Sequence, residues 1–231
     1  MEFTTQYAFP EKDFSRYTSE ADRMLAIGLA FVRAMPATSA TEKPTFKEYA
    51  VGSTLHRGYY HPSPVYDLIV GNTKRGRLIR NPITANASQC YYYDDQHRLF
   101  RVDSLFQGRL AYTEYLCADD QTVYGITVDR NGCLAAVCRE IYENGKIVAL
   151  SLVRCVCMHG QYECFEYLEE HYCYDVEGLC ACNYVVYRPG SEYGIYEVYE
   201  FLRENGRLVS YVNITKPDRH YLIPKRKQRK A

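Results

Sequence analysis

Between about residues 94 and 206, strand-length apolar and aromatic runs alternate with turn signals. Asp94-Asp95-Gln96-His97-Arg98-Leu99 aligns with Asp129-Arg130-Asn131-Gly132-Cys133-Leu134 and with Asp175-Val176-Glu177-Gly178-Leu179. Between these lie Gln107-Gly108-Arg109-Leu110, Glu143-Asn144-Gly145-Lys146-Ile147 and Glu204-Asn205-Gly206-Arg207-Leu208. Tight hairpins need residues at positive φ so that the twist of the turn matches the strands it joins, and Asn-Gly and Asp-x-x-Gly supply them. Turns near His97, Gly108, Asp120, Gly132, Gly145, Gly160, Gly178, Gly190 and Gly206 fall 11 to 18 residues apart. That spacing fits consecutive antiparallel strands of roughly eight residues. His97 stands where the other copies carry glycine, which is tolerable because His is enriched at positive φ.

The pattern predicts a mainly β fold: a long antiparallel β-meander with one N-terminal α-helix packed on it. The helix is expected over residues 18–35, with Thr18 or Ser19 as its cap and Pro36 as its stop. Met24, Leu25, Ile27, Leu29, Phe31, Val32 and Met35 leave few polar positions in it, so much of its surface should be buried. The small, polar, proline-punctuated stretch that follows reads as a linker. The expected organisation is helix and linker over 1–48, meander over 49–215 and a basic, disordered tail over 216–231. In Tyr193-Gly194-Ile195-Tyr196-Glu197-Val198-Tyr199-Glu200-Phe201 apolar residues fall on both parities, so both sheet faces should be partly covered. A sheet of about ten strands rarely stays flat and open, so strong twist or curl is expected.

Charge changes the picture more than length does. Acids and bases balance at 28 each, but residues 225–231 hold five bases and no acid, and residues 114–204 hold 16 acids against 6 bases. The meander should therefore carry a negative field that steers a basic partner. Of 24 tyrosines, 17 lie between Tyr91 and Tyr211, and tyrosine gives contact area at low entropy cost. Residues 56–109, with eight bases against four acids, form a modest basic patch better suited to pairing with the acidic part of the chain than to reading DNA. No secretory leader is visible, and the longest apolar stretch, Met24 to Met35, contains Arg33 and is too short to span a bilayer. A cytoplasmic protein with reduced thiols is expected.

The Tyr93-Asp94 and Tyr174-Asp175 turns, each followed by Leu99 or Leu179, resemble the YD-repeat of Rhs-type bacterial toxins. Asn144-Gly145-Lys146-Ile147 and Asn205-Gly206-Arg207-Leu208 are similar to that family's second turn, while Val128 replaces the tyrosine of the middle copy and His97 a glycine. The resemblance spans at most residues 91–211. It implies a β shell or platform, and the setting of polymorphic toxin systems, where small immunity proteins are common.

The densest chemistry is Cys155, Cys157, His159, Cys164, His171, Cys173, Cys180 and Cys182, eight candidate zinc ligands within 28 residues. Zinc knuckles space their thiolates by two to four residues on turns, whereas these Cys-x-Cys pairs sit in strands, so thiols packed as small apolar groups are the expectation. Cys157 with His159, or Cys173 with His171, share a strand face but stand about 7 Å apart along it, too far for a nucleophile and its base. Asp119-Asp120 falls in a turn. No phosphate-binding glycine loop, G-x-S-x-G or H-E-x-x-H occurs. The expected function is non-catalytic protein binding without a cofactor. An immunity-like inhibitor would present Glu163, Glu166, Glu169, Glu170, Glu197 and Glu200 to a basic toxin domain; the alternatives are a purely structural scaffold or a Cys/His metal protein.

Overall fold

A computed structural model describes residues 14–38, 44–53, 55–71, 74–80, 86–190, 194–204, 207–215 and 220–222. Helix α1 (Ser15–Thr38) precedes strands β1 (Phe46–Val51) and β2 (Arg77–Ile79). A connection carrying a 3-10 turn (Gly58–Tyr60) and a single-turn helix α2 (Tyr66–Ile69) joins those two strands. The meander follows: β3 (Gln89–Tyr93), β4 (Leu99–Phe106), β5 (Arg109–Asp119), β6 (Thr122–Asp129), β7 (Leu134–Glu143), β8 (Lys146–Met158), β9 (Gln161–Asp175), β10 (Gly178–Tyr187), β11 (Gly194–Glu204), β12 (Arg207–Asn213) and β13 (His220–Leu222). All pair antiparallel in one open sheet, in sequence order from β13 to β3 and then β1 and β2. The sheet thus begins at Phe46 and reaches Leu222, beyond the expected 49–215 at both ends. Most of the basic tail lies outside the described residues.

The turns are as the sequence predicts, and their chemistry is visible. Gln107 and Gly108, Asn144 and Gly145, and His159 and Gly160 each pair two consecutive residues at positive φ, the requirement of a type I′ hairpin. The longer turns rest on an aspartate that receives backbone N–H groups. Asp94 Oδ1 accepts from Gln96 and Arg98, Asp129 Oδ1 from Asn131 and Cys133, and Asp175 Oδ1 from Glu177 and Gly178. His97 takes φ 62° where Gly132 takes 82°. Gly206 lies outside the described residues.

Helix α1 covers one face. Tyr17, Ala21, Met24 and Gly28 form its buried stripe against Ile126, Leu134, Val137, Val153, Tyr167, Val185 and Tyr187. The expectation of wider burial was wrong: Arg16, Arg23, Ala26 and Ala30 are exposed, since a helix on a single sheet hides only the side it presses down. The helix also starts earlier than predicted, at Ser15, because Phe14 stacks on Tyr187 and Tyr17 packs on Tyr167, contacts no local signal encodes. It continues two residues past Pro36. At Gly28 helix and sheet leave no room for a side chain, since a Cβ there would stand 2.5 Å from Val137 Cγ2.

The connection between β1 and β2 covers the opposite face as a strap. Arg57 reaches β5 and β7, Ser63 reaches β9, and the Leu68 carbonyl accepts the Tyr211 hydroxyl of β12. From Leu68 to Arg77, which pairs with Val51, only nine residues remain. They span at most roughly 30 Å. In a flat sheet the eleven strand intervals from β12 to β2 would separate the same points by roughly 53 Å, more than a tyrosine side chain makes up. The sheet is therefore curled, with the strap on its concave side.

Candidate functional site

The strap face carries a ladder of buried carboxylates. Glu140, Leu150, Glu170, Tyr184 and Glu197 are successive register partners across β7 to β11, so every second strand places a glutamate in one row. Each of these glutamates accepts the hydroxyl of the tyrosine two positions on: Tyr142 at 2.7 Å from Glu140, Tyr172 from Glu170 and Tyr199 from Glu197. Residues i and i+2 share a strand face, so the pair is closed locally before any tertiary contact forms. On β1, Glu48 receives the hydroxyls of Tyr60 at 2.7 Å and Tyr93 at 2.6 Å.

The strap inserts into this ladder. Arg57, itself at φ 58°, donates from Nη1 to Glu140 Oε1 at 2.7 Å and from Nη2 to Glu114 Oε1 at 2.5 Å. All three side chains are at least 95% buried, and the two carboxylates compensate a cation removed from water. His56 Nε2 lies 3.0 Å from Thr127 Oγ1. Burial pushes its pKa down against the opposing pull of Glu114. Further along, Ser63 Oγ donates to Glu170 Oε2 at 2.5 Å and accepts the N–H groups of Val65 and Tyr66, tying α2 to β9. His61 Nδ1 accepts the Ser63 N–H, and burial holds that imidazole neutral, well below its ordinary pKa. Arg75 bonds to the His61 and Ser63 carbonyls and to Asp67.

Glu170 is the carboxylate of this cluster that is held in its protonated range. Its side chain is wholly buried and Oε1 has no partner, so desolvation raises its pKa to about 7 despite the hydroxyls of Ser63 and Tyr172. The cluster is chemically rich and closed: Ser63 and Glu170 expose nothing, Glu114 and Glu140 almost nothing. It anchors the strap.

The predicted partner-binding glutamates do not share a surface. Glu170 and Glu197 are buried in the ladder, and Glu169 is buried on the helix face, where it holds Tyr167 at 2.6 Å, His171 and Arg16. Burial raises the Glu169 pKa, yet His171, Tyr167 and Arg16 together bring it below the ordinary value. Glu163 is exposed, Glu166 is half-buried and paired with Arg154 at 3.0 Å, and Glu200 is half-buried on the helix face. The basic patch behaves as expected at Arg57, which pairs with the acidic span, while Arg75, Arg98 and Arg101 pair locally with Asp67, Asp94 and Asp103. Asp119 ends β5, and Asp120 turns at φ 40°.

The Cys/His stretch is dispersed as well. Cys155, Cys157 and Cys164 lie on the helix face, Cys182 packs on the strap face, and His159 occupies a hairpin turn. Cys180 Sγ donates to the Cys173 carbonyl at 3.3 Å. Among the described residues no group of three or more His, Cys, Asp or Glu side chains is placed to hold a metal ion. None of the ten cysteines is in a disulfide. Of the six cysteines in that stretch only Cys155 and Cys182 are buried; Cys157, Cys164, Cys173 and Cys180 are partly exposed, so packing hides fewer of them than expected.

One surface open to a partner is an arm. The last pair joining β7 to β8 is Ala136 with Arg154, and the last joining β9 to β10 is Tyr187 with Tyr167. Beyond those pairs, residues 155–166 bond along the ladder only to each other. Tyr162 and Cys164 pack their side of this ribbon toward α1 and β7. On the strap side, β8 continues the inward row of Leu150 and Leu152 with Arg154, Val156 and Met158. Val156 is 40% exposed, Met158 49% and the bulge residue Phe165 41%, beside exposed Glu163.

No family model matches this sequence, and no curated protein matches it. No helix among the described residues is long and apolar enough to cross a membrane. Sequence reasoning missed the strap residues His61 and Ser63, which no local pattern marks. It also missed a legible signal: Glu140-Ile141-Tyr142, Glu170-His171-Tyr172 and Glu197-Val198-Tyr199 repeat one Glu-x-Tyr triplet on alternate strands.

Proposed function

We propose that this chain is a non-catalytic protein-binding module that docks a basic partner through the strap-side face of the 155–166 arm. The observation that carries the reading is the apolar row Val156, Met158 and Phe165 standing 40% or more exposed beside Glu163 on a ribbon with no flanking strand. Large exposed apolar side chains flanked by charge are the composition of an interface, and the acidic excess of residues 114–204 selects a basic partner. An immunity-like inhibitor that covers a basic toxin domain fits this chemistry and the YD-repeat resemblance of the turns; that link is one of analogy. The buried ladder supports the reading by leaving its carboxylates engaged internally, so the binding surface is the arm and not the broad acidic sheet.

The test is capture of partners from the native host with the wild-type chain and with Val156→Asp, Met158→Asp and Glu163→Lys variants. The expected result is one basic protein whose association slows with salt and which each variant weakens at least tenfold. Capture that ignores salt and all three variants, or the absence of any protein partner, would leave the chain a structural scaffold.

A further inference from the structure

We propose that Cys133 and Cys157 form a reversible disulfide that clamps the projecting arm onto the turn before β7. The two residues are brought together by contacts that hold the arm's helix side. Tyr162, the register partner of Cys157, accepts the Leu134 N–H at 3.3 Å through its hydroxyl, and Cys155 Sγ donates to the Leu134 carbonyl at 3.5 Å. Cys133 immediately precedes Leu134, so these two contacts set it beside the Cys157–Tyr162 end of the arm, and its thiol and that of Cys157 stand close enough to feel each other electrostatically. Both cysteines are partly exposed, so an oxidant can reach them.

The neighbouring pair makes the choice specific. Cys155 and Cys164 are direct register partners, yet their thiols turn to backbone carbonyls, Leu134 for the first and Glu166 at 3.5 Å for the second. Burial pushes their pKa values up to about 12 and about 11, which starves them of the thiolate that exchange requires. Cys133 is raised as well, by burial first and then by Asp129, so its exchange accelerates toward alkaline pH.

The chemistry balances with glutathione disulfide as the oxidant. One protein thiolate attacks it and releases one glutathione; the other, having lost its proton, attacks the protein sulfur of the mixed disulfide and releases the second. Two thiols and one disulfide become one disulfide and two thiols, and the protein gives up two hydrogens. The arm is otherwise held by its own ladder, the contacts at Leu134 and the packing of Tyr162 and Cys164, and the covalent bond fixes its angle to the sheet. Its effect on binding rests on the arm being the docking surface; its formation does not.

The experiment equilibrates the full chain with glutathione disulfide at pH 8 and maps peptides without reduction, alongside hydrogen exchange of residues 155–166. A Cys133–Cys157 crosslink, a mass loss of about 2 Da and exchange in the arm slowed roughly tenfold are expected. Cys133→Ser and Cys157→Ser should each abolish crosslink and protection, while Cys164→Ser keeps both. A dominant Cys155–Cys164 link, glutathione adducts alone, no crosslink, or a crosslink that leaves exchange unchanged overturns the proposal. The arm variants, assayed in reduced protein, test docking separately, so their failure to weaken partner capture refutes the binding reading and leaves the clamp standing.

Discussion

Replacing Arg57 by Met removes the one cation that compensates Glu114 and Glu140, both nearly inaccessible to water. Breaking a buried ion pair from one side typically costs 3–5 kcal/mol, roughly 10 °C in Tm for a chain of this length. The cost should depend on pH, and its sign can be worked out. In the wild type the Glu114 pKa lies below its ordinary value because Arg57 and His56 outweigh burial, so its contribution is present above the unfolded pKa and lost as pH falls through the folded one. Without Arg57 only His56 opposes burial, and the pKa rises. The variant's carboxylate is then tolerated only when protonated, so the variant is least stable near pH 8 and recovers toward pH 5. Other titrating groups are common to both proteins and cancel in the difference. Urea unfolding of the pair at pH 5, 6.5 and 8 measures it: the gap should be about 3 kcal/mol or more at pH 8 and narrow by at least half at pH 5. A gap below about 1 kcal/mol, or one that does not change with pH, would show that the carboxylates find other partners or water, and would refute the anchoring role given to Arg57.

Glu170 shifts the other way: its folded pKa of about 7 lies above the unfolded value, so its contribution is complete below the unfolded pKa and is lost as pH rises through about 7. Wild-type stability should fall by about 3 kcal/mol between pH 4.5 and 8 on this account, and Glu170→Gln should flatten that slope in denaturant titrations. Gly145→Val should cost more than about 1 kcal/mol although nothing lies within 4 Å of its Cβ position, because the penalty at φ 74° is one of backbone alone; an unchanged Tm contradicts it. Gly28→Val should cost about 2 kcal/mol or more by forcing α1 off Val137 and Leu134, and a Tm equal to wild type would show that the helix can lift without loss.

Local chemistry wrote the meander into the sequence. An Asp that collects two N–H groups, or a pair of residues at positive φ, fixes a hairpin by itself, so Asp94, Asp129, Asp175, Asn144-Gly145 and even His97 could be placed without knowing what they pack against. Consecutive hairpins then leave only one strand order. The Glu-x-Tyr triplets belong to the same class, since a period of two puts both groups on one face, though their meaning was legible only in principle. What each face meets is a different matter, set by contacts distant in sequence. Arg57 finds Glu140 across 83 positions, Ser63 finds Glu170 across 107, and Arg16 finds Glu169 across 153. Those meetings decided that Glu169, Glu170 and Glu197 are interior groups while Glu163 is not, although all four read alike as acids in tyrosine-rich strands. They depend on the curl that lets nine residues return from β12 to β2, and curl accumulates over the whole sheet and resides in no single turn.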